Sequence, residues 1–382
     1  MKRMILTAVV LLAPLHALAA SGWKLDGDVS ATAAYDTNVF NLSDGQQDRV
    51  DAPSAADQAT GRVRDMDSVD DFVTSVSTRM VVSHPDGGFS IAPSFSYHRY
   101  AMNGEKSFPE LGIALRKDFG DDSSLKLDFG YELNGFKKNY LAATTVGTGV
   151  VVLPAERIYQ RGVYDDMSFG AAYQRTLWRQ PRSSFLRKID AEIAAGYSQR
   201  KFEGAFANRD LDAWDVGVEV GSRFGERFRL EFSYDYGDAS APGNGELVIL
   251  DEASVGIDLN SDLDATDLDV ATLAAVDRSR SEHAVGMKAK FDLPNHVDAW
   301  LGYGYARFDY ASDEALDVGH RGRADSEQGF GAGVRWGFAK HWQSTLAAEH
   351  SWRDTNKTAS LLGDEEGTKS GTAVFAGLTW DY

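Results

Sequence analysis

One segment of the sequence has the residue types and spacing of a calcium-binding loop. In DLNSDLDATDLD, residues 258–269, oxygen-bearing side chains fall at positions 1, 3, 5, 7, 9 and 12 of the pattern. They are Asp258, Asn260, Asp262, Asp264, Thr266 and Asp269. Leu263 stands where the sharp turn needs Gly, and the last position carries Asp where a bidentate Glu is usual. The segment therefore predicts either a Ca²⁺ site or an ordinary acidic surface run. No cofactor other than Ca²⁺ is expected.

Histidines are the other residues whose chemistry could matter, and they are dispersed. Beyond residue 20 they are His84, His98, His283, His296, His320, His341 and His350. His350 and Ser351 are adjacent, so in a strand their side chains would point to opposite faces. A pairing of His98 with a Ser or Asp of another strand stays open, but no motif supports it. We therefore predict no enzyme and no catalytic residue.

The first residues predict export from the cytoplasm. MKRMILTAVVLLAPLHALAA, residues 1–20, begins with basic residues, continues with an apolar stretch and ends with Ala17 and Ala19 at cleavage-site spacing. A membrane anchor is the alternative, but Pro14 and His16 interrupt the apolar run and leave it short of a spanning helix. We expect residues 1–20 to be a signal peptide and residues 21–382 to be the mature protein.

Composition narrows the class of the mature chain. Without the signal peptide, 37 basic residues stand against 57 acidic ones. Nucleic acid is excluded as a partner, because phosphate binding needs clustered Lys and Arg. Cysteine is absent, whereas Gly, Phe, Tyr and Trp are plentiful. This combination favours a large β-structure that is stabilised by its sheet rather than by disulfides.

Alternation of apolar and polar residues runs through the whole chain. In GTAVFAGLTWDY, residues 371–382, Val374, Leu378 and Trp380 share one face, and Gly377, Thr379 and Asp381 share the other. Period two is the signature of a strand, and we expect about 14 of them. Charged alternate faces exclude the interior of a soluble sandwich. The predicted fold is all-β: a single antiparallel up-and-down transmembrane β-barrel.

Connections between the predicted strands alternate between short and long. Short turns include 84–88, 225–227 and 293–295, and the longest loops lie near 38–69, 136–162 and 238–281. Short periplasmic turns opposite long extracellular loops are typical of barrels in the outer membrane of Gram-negative bacteria. We therefore expect the protein there, in contact with lipid and lipopolysaccharide.

If the apolar faces meet lipid, the alternate positions line the lumen. The predicted pore-lining residues are Asp128, Glu132, Asp190, Glu192, Asp215, Glu219, Arg223, Arg229, Glu231, Asp235, Lys288 and Arg335. Acidic groups predominate among them, which would favour cations or neutral polar solutes. About 14 strands with small inner residues leave water-filled space, unless Arg and acid side chains pair across the lumen and close it.

Two short motifs resemble a known family. AAYDTNVFNL, residues 33–42, is similar to the first-strand motif of the β-barrel porin-2 family, outer-membrane barrels found beside exopolysaccharide export genes. SWRDTN, residues 351–356, before a last strand that ends GLTWDY, resembles that family's last hairpin. The resemblance implies an outer-membrane barrel that assists the passage of polysaccharide or other polar solutes. It implies no catalytic residue.

The predicted function is therefore an outer-membrane channel or export-assisting barrel for small polar or saccharide solutes. The alternative is a closed structural or adhesion barrel whose long loops bind surface partners. By resemblance to outer-membrane barrels generally, a last strand with a terminal aromatic is what the insertion machinery recognises. Trp380 and Tyr382 are therefore the predicted assembly signal.

Overall fold

Fourteen antiparallel strands close into one barrel. The computed structural model describes residues 23–60, 62–84, 87–142, 158–181, 184–203, 210–241, 278–312, 321–356 and 368–382. The strands are β1 Lys24–Asp36, β2 Asp71–His84, β3 Phe89–Tyr100, β4 Phe108–Asp118, β5 Ser123–Ala142, β6 Ile158–Arg179, β7 Leu186–Phe202, β8 Leu211–Phe224, β9 Phe228–Ser240, β10 Arg280–Leu293, β11 Val297–Tyr310, β12 Ala324–Ala339, β13 Trp342–Thr355 and β14 Lys369–Asp381. The predicted all-β barrel of about 14 strands is confirmed.

The last strand pairs with the first and closes the barrel. The β1–β14 register runs from Asp28 opposite Asp381 to Asp36 opposite Ala373. At its end the Tyr382 N–H donates to the Gly27 carbonyl oxygen at 3.0 Å, and the Gly27 N–H donates back at 3.4 Å. The seam therefore continues to the terminal residue and removes both sheet edges, which a membrane could not satisfy.

Deleting Trp380 to Tyr382 should lower insertion into the outer membrane, because it removes the last pairs of the seam and two aromatic rings that contact each other. The Trp380 ring lies 5.4 Å from the Tyr382 ring and 6.4 Å from the Trp342 ring. Fractionation and heat-modifiable gel mobility would measure the folded fraction. Trp336→Ala, which removes another exposed outward indole on β12, is the control and should insert normally. Normal surface levels of the truncated chain would contradict the assembly role.

Each of the fourteen strands exposes at least one large apolar side chain, and most expose several at alternate positions. Val76 is 56% exposed, Ile193 58% and Leu346 61%. An apolar exterior of this extent is stable against hydrocarbon and not against water. In the part of the chain described, no helix is both long and apolar enough to cross a membrane. The protein is a membrane-spanning barrel, and barrels of this kind occupy the outer membrane.

Two predicted loops contain regular structure. Residues 38–69 hold helices α1 Asp44–Asp51 and α2 Ala55–Thr60. The loop predicted at 136–162 is shorter, since β5 continues to Ala142 and β6 begins at Ile158. The alternation is lost there because β5 shifts register between Glu132 and Gly135 and again between Phe136 and Asn139. A bulge inserts residues that break the period of two.

Candidate functional site: the lumen and its outer mouth

The first long connection folds back into the loop-side end of the barrel. Residues 37–70, here called the inward segment, form a small apolar core with β5. Its buried members are Val39, Phe40, Leu42, Val50, Met66, Val69 and, from β5, Phe136. The Phe40 and Phe136 rings meet edge to face with centroids 5.9 Å apart. Apolar burial thus holds the segment against the wall instead of leaving it in solvent.

The turn that directs this segment inward is built from the motif at residues 33–42. Asn38 Oδ1 accepts the Leu42 N–H at 2.8 Å, and Asn38 Nδ2 donates to the Leu42 carbonyl oxygen at 2.8 Å. The same amide also reaches the Ser370 carbonyl oxygen of β14 at 3.1 Å. Asn41 has a φ of 52°, a left-handed conformation that Asn tolerates. The motif therefore shapes the mouth.

A buried carboxylate fixes the other end of the inward segment. Asp71 is fully buried and accepts the N–H groups of Ala101, Met102 and Asn103 at 2.7 to 3.0 Å. The Asn103 side chain extends the network, since its Oδ1 accepts the Asp67 N–H at 2.9 Å. The network joins the inward segment to the next loop.

Lys106 locks the tip of the segment against the wall. Its Nζ donates to the Phe136 carbonyl oxygen at 3.1 Å and lies over the rings of Phe40, at 5.2 Å, and Tyr100, at 5.5 Å. Burial lowers the pKa of Lys106 to about 8. The ammonium is still the main form at pH 7, so these cation–π contacts persist.

The tip of the inward segment and the opposite wall enclose a cavity of about 170 Å³, here called the mouth cavity. Eight cationic side chains line it: Lys137, Lys138, Arg200, Arg278, Arg280, Arg323, Arg353 and Lys369. The rest of the described lining is Phe40, Asn41, Phe202, Leu211 and Tyr310, with no Asp or Glu. A strongly acidic chain thus carries a basic mouth, which the sequence analysis did not predict.

Carboxylates and aromatic rings behind the mouth cavity hold several of these cations in place. Asp325 is fully buried and accepts from Arg323 Nη2 at 2.6 Å and Arg353 Nη2 at 2.8 Å. Asp166 accepts from Arg200 Nη2 at 2.7 Å. Arg323 also lies 4.6 Å from the centre of the Tyr310 ring. Such anchoring presents the guanidinium groups at low entropic cost.

Lys369 lies at the outer edge of the barrel wall. It is paired with Arg353, one residue on the loop side of Trp352, and so lies outside the membrane span. Burial, with the positive charges of Lys138, Arg353 and Arg323, lowers the pKa of Lys369 to about 7. The mouth cavity therefore gains positive charge as the pH falls through 7.

The twelve predicted pore-lining residues all occupy strand positions that alternate with the exposed apolar ones, which places them on the inner face. Several are paired: Lys290 Nζ contacts Glu231 at 2.7 Å, and Arg223 contacts Asp292 at 2.7 Å. Glu192 and Glu219 are direct neighbours across β7 and β8. Whether a solute passes these groups stays a prediction. The expected acidic lining does not extend to the mouth cavity.

One arrangement that the sequence left open is brought together on the inner face of β2, β3 and β4. Ser75 Oγ lies 2.8 Å from His98 Nδ1, and His98 Nε2 lies 3.6 Å from Glu110 Oε2. A hydrolase would also need oxyanion donors. The backbone of these described strands is paired in the sheet. The contacts link three neighbouring strands, and the absence of enzymatic activity stays a prediction.

Two other predicted features lie beyond the reach of the structure. The acidic segment with Asp258, Asn260, Asp262, Asp264 and Asp269 lies outside the described residues, as does the signal peptide. The Ca²⁺ site and the cleavage site therefore stay predictions.

Comparison with known proteins gives likeness of fold only. No protein-family model matches the sequence, and no curated protein sequence matches it. The chain is similar to the outer membrane channel DcaP of Acinetobacter baumannii, with 13% identity over 94% of this chain and 97% of that one and a TM-score of 0.42. It is also similar to a bacterial polysaccharide outer membrane secretin, with 8% identity, coverage of 93% and 98% and a TM-score of 0.44. For OccAB3 of Acinetobacter baumannii the identity is 9%, the coverage 94% and 100%, and the TM-score 0.43.

Proposed function

We propose that the protein is an outer-membrane channel for small polar solutes and that its mouth favours anions. The observation that carries the proposal is the mouth cavity, whose described lining has eight cations and no acid. Clefts of one charge sign focus the electric field and raise the local concentration of the opposite charge. The cavity stands at the loop side, where an external solute would first meet the narrowed lumen.

Geometry of the lining supports this choice of solute over a cation. Arg side chains offer forked donors that match carboxylate and phosphate oxygens, and three of the mouth arginines are already oriented by buried or half-buried acids. The acidic inner positions deeper in the barrel, such as Glu192 and Glu219, follow the basic cavity along the axis. We propose that they adjust the passage and that the mouth determines the sign of selectivity.

Purified protein in planar lipid bilayers tests the proposal. We expect discrete conductance steps, and in a KCl gradient a reversal potential that shows chloride to be more permeant than potassium. A cation-selective current would contradict the proposed anion preference. It would indicate that the acidic inner wall, and not the mouth cavity, determines selectivity. Absence of conductance would favour the closed structural or adhesion barrel, in which the inward segment acts as a permanent plug.

The membrane setting of the proposed channel follows from the barrel surface. The apolar exterior would contact outer-membrane lipid and lipopolysaccharide of a Gram-negative cell. We also propose that the barrel insertion machinery acts on the last strand. We also propose a role in exopolysaccharide export, as in the β-barrel porin-2 family, from the motif at residues 33–42. Exopolysaccharide export genes next to the gene for this protein would support that role.

A further inference from the structure

A second cavity, of about 530 Å³, lies deeper in the lumen against the wall from β8 to β14. Its lining differs from that of the mouth. Six glycines, among them Gly302, Gly304 and Gly331, line it together with three glutamates. Among the described lining residues, Trp300 is the one aromatic residue at an inner-face position. We refer to it as the Trp300 cavity.

The indole of Trp300 lies on a part of the wall that has no side chains. A Cβ atom at Gly333 would come within 2.5 Å of the indole Nε1, and one at Gly331 within 2.8 Å of Cζ3. The ring therefore occupies the space that two β12 side chains would fill. Lys288 Nζ lies over the ring, 4.8 Å from its centre, so a cation reaches a face that the wall does not cover.

The indole of Trp300 is half-buried and covers the wall at Gly331 and Gly333. The outward tryptophans Trp336, Trp342 and Trp380 are exposed on the apolar exterior, whereas Trp300 lines the Trp300 cavity inside the barrel. The groups around it are polar: the Glu349 Cγ lies 3.3 Å from the position of a Gly331 Cβ, on the side opposite Lys288. An aromatic platform with a polar rim matches a ligand that has one apolar face and hydrogen-bonding edges.

We infer that Trp300 is the stacking platform of a binding site for pyranose saccharides. The C–H groups on one face of a sugar ring would meet the indole face that now lies under Lys288 Nζ, and the flexible Lys288 side chain would move to the edge of the sugar. Hydroxyl groups at the ring edge would donate to Glu349 and accept from Lys288. The cavity volume admits a short oligosaccharide. The inference deepens the proposed function by naming a solute class, and it rests on that function for passage but not for binding.

Saturation-transfer NMR with maltohexaose and the detergent-solubilised protein tests the site without any need for conduction. We expect saturation transfer from the wild-type protein to the axial ring protons of bound maltohexaose. Trp300→Ala should weaken binding by about tenfold or more, the loss of one aromatic contact. Trp300→Tyr should retain part of the maltohexaose binding.

Two glycine variants form a matched pair that leaves the indole in place. Gly333→Ala would push the ring from the wall and should lose binding as Trp300→Ala does. Gly304→Ala lies in the same cavity, where no atom lies within 4 Å of the new methyl group, and should bind as wild type. Heat-modifiable mobility checks folding of each variant.

Planar bilayers connect the site to transport. Maltohexaose should interrupt the wild-type current, and polyethylene glycol of equal mass should not. Unchanged maltohexaose binding in Trp300→Ala, or equal losses in Gly304→Ala and Gly333→Ala, would overturn the saccharide site. A barrel that binds maltohexaose through Trp300 without conducting would refute the channel and leave the site standing.

Discussion

Replacing Lys137 and Lys369 together by Glu should strongly weaken the channel's preference for anions. Both residues line the mouth cavity, one from β5 and one from β14. Six cations would then face two anions, so the net charge of the described lining falls from eight positive to four positive in a cavity of about 170 Å³, and the positive local potential should weaken. Focused fields change local ion concentrations by tenfold or more, and we expect the chloride-to-potassium permeability ratio to fall by about tenfold.

The measurement is the reversal potential in a KCl gradient at pH 6, where Lys369 is protonated in the wild type. The matched control is Arg227→Glu with Lys340→Glu, which makes the same change of net charge in the short turns at the opposite end. We expect the control to keep the wild-type selectivity. If the mouth variant and the control shift the potential equally, the mouth cavity does not select.

Replacing Asp71 by Ala should release the inward segment and leave the barrel intact. The carboxylate is fully buried and accepts four N–H groups from residues 101 to 103, counting the Asn103 amide at 2.9 Å. Removing a buried, fully bonded charge costs about 3 to 5 kcal/mol, because its donors are left unpaired. The strand ladder does not depend on it, so the loss should fall on the segment. Open-channel conductance should rise.

Limited trypsin digestion of the intact protein measures the release, since the inward segment contains Arg49, Arg62 and Arg64. Asp70→Ala is the neighbouring control. Asp70 is partly exposed to solvent and accepts from the hydroxyl groups of Ser68 and Tyr35, so its removal should cost less than about 1 kcal/mol. Equal trypsin resistance of the two variants would refute the clamp.

The barrel could be predicted from the sequence because its strands obey one simple rule. Alternation continues through Val374, Leu378 and Trp380 and recurs in all fourteen strands, and the exposed apolar faces follow from it. The alternation is lost where the strand pairing is irregular. Bulges near Gly135 and Phe136 break the period of two. The alternation therefore did not predict that β5 continues to Ala142.

The mouth could not be predicted because its members are far apart in the sequence. Lys137 and Lys369 meet through the curvature of a closed sheet, which no local pattern encodes. The predicted pore-lining residues include Arg223 and Arg335 but not Arg200, which lies near the loop-side end of β7. The motif around Asn38 was the available signal: a polar turn followed by Val39, Phe40 and Leu42 is too apolar for an outward loop.

The seam between β1 and β14 also decides when the mouth cavity can form. The cavity combines β5, β14 and the connection between β1 and β2, so it forms only when β14 pairs with β1. Before closure, Lys369 lies apart from Lys138 on the opposite wall, and their repulsion does not oppose folding. Closure of the seam brings these like charges together. The hydrogen bonds between β1 and β14 form at the same step and offset the cost of the charge repulsion. A barrel whose seam is still open therefore lacks a complete mouth cavity, and the proposed selectivity would arise only after closure.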